Sequence, residues 1–212
     1  MKLKILANKA INFGINRIIE IFGLTISIVG ILLLSSLVTF SPDDPNFIFP
    51  DNTEIKNIFG FYGSFTADIF FQSFGVIALL IPFSLMISGI NIIINKKILL
   101  IIDSFFYTTL YSLVGCLFFS LFYPSAFKLY IYGNGGFIGK YLETTFINSI
   151  IDTNSQISYY ILALSVFILF LMSIQFKIKF FYSFIKKISK FQFSKKEKNY
   201  TNENEIINEF IP

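Results

Sequence analysis

The sequence predicts an all-α polytopic membrane protein with four transmembrane helices and both termini on the cytoplasmic side. Three observations carry this. The 212 residues are 54% hydrophobic and only 14% charged, with a mean hydropathy of +0.68, whereas a soluble domain carries about 25% charged residues. Four apolar stretches reach the roughly 20 residues that a bilayer demands. Fourteen of the seventeen Lys and Arg residues fall in the N-terminal arm, the second connection and the segment after the fourth stretch, and basic residues stay cytoplasmic.

The basic arm, 1–17, carries Lys2, Lys4, Lys9 and Arg17. The first span is expected at about 18–40. Its length and the lack of a small-x-small site disfavour the alternative of a cleavable signal peptide. It stops at "SPDDP". Pro42 and Pro45 lack backbone N–H groups and end the helix. Asp43 and Asp44 are costly in hydrocarbon and are expected to mark the water boundary. The paired aspartates could also form a metal or acid–base site, but no third ligand is near.

The first outer loop is expected at about 41–69 and the second span at about 70–94, kinked by Pro82. Asp68, just before that span, is expected to cap it. Only Asn95, Lys96 and Lys97 separate it from the third span, about 98–122, so the two form a tight hairpin. Asp103 lies one turn inside the third span. Pairing with Lys96 or Lys97 is its structural reading, and a proton or ion relay its functional one. Glu20, near the start of the first span, reads the same way.

The second outer loop, about 123–156, contains "YGNGGFIGKYLETTFINSI". Gly133, Gly135, Gly136 and Gly139 suggest a flexible turn. Ile138, Leu142, Phe146 and Ile150 then recur at helical spacing, which predicts a short amphipathic helix on the outer surface. The fourth span is expected at about 157–176. A juxtamembrane segment, 177–212, follows. Its eight lysines read as an anchor for anionic lipid, with a nucleic-acid patch as the sharper alternative, and its acidic end reads as the start of a linker.

Little here carries chemistry. With no His, there is no imidazole-based triad and no His metal ligand. Tyr and Phe must stand in for Trp at the membrane interface. The single cysteine, Cys116, reads as a small buried hydrophobe. "GNGGFIGKY" superficially matches a phosphate-binding loop, but Asn134 and Tyr141 occupy positions that need Gly and Ser or Thr, and no strand precedes it. No catalytic, metal or cofactor site is expected, and no cofactor.

Ser41, Pro42, Asp44 and Pro45, then Asn57, Gly60, Gly63, Ala67 and Asp68, then Phe74 and Gly75, with Pro82 and Gly89 in the second span, form one set. That set resembles a known family, the four-span membrane domain of FtsK/SpoIIIE-type DNA translocases. "GGFIGKYL" resembles an element of that family's second outer loop. The resemblance covers about 18–176. It implies an anchor at the division septum of a bacterial inner membrane, followed by a linker and a cytoplasmic ATP-driven DNA motor that this chain lacks. The partners implied are a homo-oligomer, division proteins, anionic lipids at the Lys-rich tail, and DNA only through the motor. The alternatives are a small transporter or channel coupled through Asp103, or a motor-less division scaffold.

Overall fold

The computed structural model describes residues 2–45, 54–125, 132–145 and 154–176, with side chains from Asn8 onward. The chain divides into two units, Met1–Gln175 and Phe176–Pro212. Among the described residues the first holds six α-helices: α1 Lys2–Val38, α2 Gly60–Phe74, α3 Leu80–Asn95, α4 Leu100–Phe122, α5 Gly136–Glu143 and α6 Ser155–Ser173. A 3₁₀ segment, Gly75–Leu79, joins α2 to α3. Among the described residues, four stretches are long and apolar enough to cross a membrane: Asn8–Val38, Gly60–Asn95, Leu100–Phe122 and Ser155–Ser173. The Lys-rich segment 177–212, and Phe146 and Ile150 of the expected amphipathic helix, lie outside the described residues.

The bundle is built as lipid requires. Large apolar side chains such as Ile28, Leu32, Ile102, Phe105, Leu164 and Phe167 point outward, while the buried faces are lined with small and hydroxyl-bearing residues. On α4 these are Ser104, Ser112, Gly115, Cys116 and Ser120. Lipid tails are as apolar as Leu, so helix association relies on close approach and interhelical hydrogen bonds.

α1 packs along α3 at such a crossing. A Cβ on Gly23 would lie 2.7 Å from the Gly89 carbonyl, and one on Gly30 2.7 Å from Met86 Cγ. Between them the Ser27 hydroxyl donates to the Met86 carbonyl at 3.1 Å. α3 packs on α4, and α4 on α6. The Tyr111 hydroxyl hydrogen-bonds Ser84 at 3.0 Å, Thr108 Oγ1 and Ser173 Oγ lie 2.6 Å apart, and the Ser173 hydroxyl contacts the Ser104 carbonyl at 3.3 Å.

Two expectations change. The second span begins at Gly60, not near Phe70, so the last ten residues of the expected first loop are helical. Pro82 does not lie in mid-helix. It is the third residue of α3, a first-turn position where a missing N–H costs nothing. The irregularity lies a turn earlier, in the 3₁₀ segment. The described part of the expected amphipathic helix, α5, exposes Phe137, Lys140 and Tyr141 and packs its Gly136 and Gly139 face on α2 and α4.

Candidate functional site

Five residues of the family resemblance, Asp44, Pro45, Asn57, Gly60 and Gly63, converge where α1 ends and α2 begins, the loop end. Asp44 is 2% exposed. Its carboxylate accepts the backbone N–H of Lys56 at 2.9 Å on one oxygen and that of Asn57 at 2.9 Å on the other. This corrects the expectation that both aspartates mark the water boundary. Asp43 is exposed and pairs with Lys56 Nζ at 3.3 Å, but Asp44 is buried. Burial is tolerated because two charge-assisted hydrogen bonds replace its water.

Asn57 then closes both helices. Its side-chain amide donates to the Ser36 carbonyl at 2.8 Å, one of the last four carbonyls of α1, which have no partner within the helix. Its side-chain oxygen accepts the Phe59 N–H at 3.1 Å, and its backbone carbonyl accepts the Gly60 N–H at 2.9 Å. The Ser36 hydroxyl donates to the Gly63 carbonyl, and the Ser64 hydroxyl to the Pro45 carbonyl at 3.2 Å. Position 63 has to be glycine, since a Cβ there would overlap Asn57 Oδ1. Thus Asp44, Pro45, Asn57, Gly60 and Gly63 form one hydrogen-bonded unit.

Asp68 does not cap the second span. It is 5% exposed and lies in the third turn of α2, on the buried face with Ser64, Ala67 and Phe71. The start of that helix is served by Asn57 instead.

A second unit joins the 3₁₀ segment to α5. The Val76 N–H leaves the helix ladder and donates to the Asn134 carbonyl at 2.9 Å. Gly75 (φ 61°) and Gly136 (φ 63°) face each other so closely that a Cβ on either would overlap the other's backbone or that of its neighbours. Gly135 and Gly139 press on the Cys116 carbonyl and Ser120. The expected flexible turn is therefore a docking surface made of glycine. The buried Asn134 side chain donates to the Tyr123 carbonyl, Ser120 donates to Glu143 Oε2 at 2.6 Å, and Cys116 donates to the Phe74 carbonyl at 3.2 Å. Lys140, rejected above as a phosphate-loop lysine, pairs with Glu143 at 3.3 Å.

At the opposite end, called the hairpin end, Lys96 turns the chain in a left-handed conformation (φ 53°) and pairs with Glu20 of α1, which also binds Arg17. Lys96 is therefore engaged by Glu20, not by Asp103. Asp103 is exposed in the first turn of α4, where a carboxylate meets the positive end of the helix dipole, and makes no ion pair among the described residues. Nearby, Asn91 donates to the Ile174 carbonyl at 3.0 Å and Gln175 to the Leu100 carbonyl at 2.8 Å. These bonds clasp the end of α6.

Sequence reasoning missed Ser36, Asn91, Asn134 and Gln175. Ser36, Asn91 and Gln175 are polar residues inside or beside apolar runs, and in lipid that alone is a signal of interhelical bonding, whereas Asn134 lies among glycines with no such signal.

Comparison with known proteins points to one family. A family model described as the 4TM region of DNA translocase FtsK/SpoIIIE matches residues 16–186. Among curated proteins, the chain is similar to "DNA translocase FtsK" of Rickettsia bellii (strain RML369-C), 35% identical over 72 residues, 34% of this chain and 10% of that one. It is also similar to "DNA translocase FtsK" of Azospirillum brasilense, 31% identical over 88 residues, 41% of this chain and 14% of that one. The matches thus span only a small part of those relatives. No solved structure matches the chain. The family match covers most of the chain and both hydrogen-bonded units, and the chain belongs to the family of the four-transmembrane region of FtsK/SpoIIIE DNA translocases.

Proposed function

We propose that this multi-pass membrane domain anchors an FtsK-like DNA translocase at the division septum of a bacterial inner membrane, in the service of cell division and chromosome segregation. The observation that carries the reading is the Asp44–Asn57–Ser36 unit. The family's residues at the loop end are spent on fixing two helices to each other, as an anchor needs and a transport site does not. In this reading the loop end faces outside and both termini are cytoplasmic, in keeping with the distribution of Lys and Arg. The lysines after α6 hold anionic lipid at the inner leaflet, the domain assembles as a homo-oligomer beside division proteins, and DNA is met only by a motor downstream. The domain itself neither binds nor hydrolyses ATP and uses no cofactor.

The rival reading is a small transporter or channel coupled through Asp103. Against it stand the hydroxyls of α4: those of Thr108 and Tyr111 are engaged with neighbouring helices, not directed at a conduit.

An antibody raised against residues 1–212 tests the proposal on native membranes. The expected band is a polypeptide far longer than 24.3 kDa, with a phosphate-binding loop downstream in the same frame. A single band at the mass of this chain contradicts it.

A further inference from the structure

α1 is one unbroken helix, and its part from Asn8 to Val38 alone is 31 residues, about 46 Å of helix. A hydrocarbon core is only about 30 Å thick. The surplus overhangs the bundle at the hairpin end, beyond the ion pairs of Glu20 with Arg17 and Lys96. Neither α3, which ends at Asn95, nor α4, which begins at Leu100, accompanies it. Every residue from Asn8 to Ile18 is exposed. Ile11, Ile15 and Ile18 are 58%, 49% and 67% exposed on the water side of those ion pairs, where apolar surface of this kind marks an interaction site.

These residues follow an order. Ile11, Ile15, Ile18 and Phe22 recur at alternating steps of four and three, and the same steps, through Thr25, reach Val29 and Leu32. That is the seam of a coiled coil, with Asn8, Ile15, Phe22 and Val29 at a and the others at d. The packing of the chain on itself leaves the seam open. Gly23, Ser27 and Gly30, which meet α3, and Glu20, which meets Lys96, all stand at b or f. Val29 and Leu32 wall an apolar groove of about 390 Å³ between α1 and α2. The next a position, Ser36, is buried against Gly63 and ends the seam.

We propose that this seam is the interface between copies of the chain, which associate in parallel through α1 from Asn8 to Leu32. This deepens the homo-oligomer proposed above, on which it rests, by naming the contact face. The seam runs without a break from water into hydrocarbon, so its partner must be a helix that does the same. A copy of α1 in the same bilayer runs in the same direction and meets that demand. The charges permit it: Lys9, Arg17 and Glu20 lie at b, c and f, while Asn12, Gly14, Ile19 and Ile21 flank the seam at e and g. Identical helices therefore pair in register without like charges facing each other. Asn8 then meets Asn8, and a polar a position fixes register. A Cβ on Gly14 would meet nothing within 4 Å, so nothing in the chain's own fold calls for glycine there, and its absent side chain lets a second helix come close. Lying on the bilayer instead would require the overhang to bend away from the span, and α1 is unbroken and held along α3 by Gly23 and Gly30.

Disulfide scanning of the full chain in membranes, with Cys116→Ala as background, tests the proposal. Ile11→Cys and Ile18→Cys, both at d, should form covalent dimers at roughly ten times the rate of Ala10→Cys at c and Asn16→Cys at b, because only a and d side chains face their own copies. Ile15→Lys combined with Ile18→Lys should reduce the oligomer to monomers by native mass spectrometry in mild detergent. The thermal transition should be kept, since both side chains lie outside the bundle. An oligomer in which seam and off-seam positions cross-link alike, or which survives the double lysine variant, overturns the seam and leaves the homo-oligomer standing. A wild-type monomer overturns both. Seam cysteines that form no dimers, yet are shielded from a soluble thiol reagent only in vesicles containing phosphatidylglycerol, show the overhang lying on lipid and overturn the proposal.

Discussion

The Asn57 side chain donates to the Ser36 carbonyl at 2.8 Å and accepts the Phe59 N–H at 3.1 Å. One residue therefore closes the end of α1 and opens α2. Twenty-one positions separate Asn57 from Ser36, and Asp44 bridges the interval by holding the backbone of Lys56 and Asn57. The two helices can then leave the bilayer and re-enter it without stranding polar groups.

Asp44→Ala removes a buried acceptor from two backbone donors. It should lower stability by about 2–3 kcal/mol, whereas Asp43→Asn, at an exposed pair, should cost under about 1 kcal/mol. Unfolding of the purified protein in mixed micelles measures both. Equal losses would show that Asp44 is not the buried member of the pair.

Gly75→Ala and Gly136→Ala each place a methyl group into facing backbone. Either should undock α5, so amide exchange over 132–145 should accelerate at least tenfold while α1 keeps its protection. Unchanged exchange in both variants would mean that this segment is held by something other than glycine contact.

The clasp at the end of α6 should be separable from the rest of the helix. Asn91→Leu combined with Gln175→Leu leaves the Ile174 and Leu100 carbonyls without those donors, so exchange should rise in the last turn of α6. The other end, where the Tyr123 and Tyr159 hydroxyls lie 2.8 Å apart, should not respond. A uniform change along α6 would show that these bonds do not act locally.

Asp103 separates the anchor from the transporter. Proton or ion flux into liposomes holding the protein should stay at background and be unaltered by Asp103→Asn. A flux that vanishes with that substitution would favour transport.

Orientation is tested with Cys116→Ala as background. Asn52→Cys and Ser155→Cys should react with an impermeant thiol reagent added outside spheroplasts, and Ser194→Cys should not. Labelling at position 194 from outside would reverse the topology.

The spans were legible because bilayer thickness imposes a length that apolar runs report directly. Their edges were less so. Residues 60–69 contain two glycines, Ser64, Thr66 and Asp68 and read as loop, yet Asn57 starts a helix there by capping it from outside the run. Asp44 was misread for a related reason. A charge is costly in hydrocarbon only while unpartnered, and its partners are backbone amides that no side-chain pattern reveals. Gly133–Gly139 looked flexible because glycine is permissive in isolation. What fixes the place of Gly136 is the backbone at Gly75, sixty-one residues away. The carbonyl ends closed by Asn91 and Asn57 share this dependence on distant partners. Glu20 was different, since an acid near a basic hairpin can be paired from sequence alone.

The most direct test of the central claim is the position of a fluorescent fusion of residues 1–212 in dividing cells of the source bacterium. An FtsK-type anchor predicts that the fusion concentrates at mid-cell as the septum forms, and that Asp44→Ala disperses it. Uniform envelope fluorescence from a stable, membrane-inserted fusion would contradict the anchor and leave the transporter or scaffold.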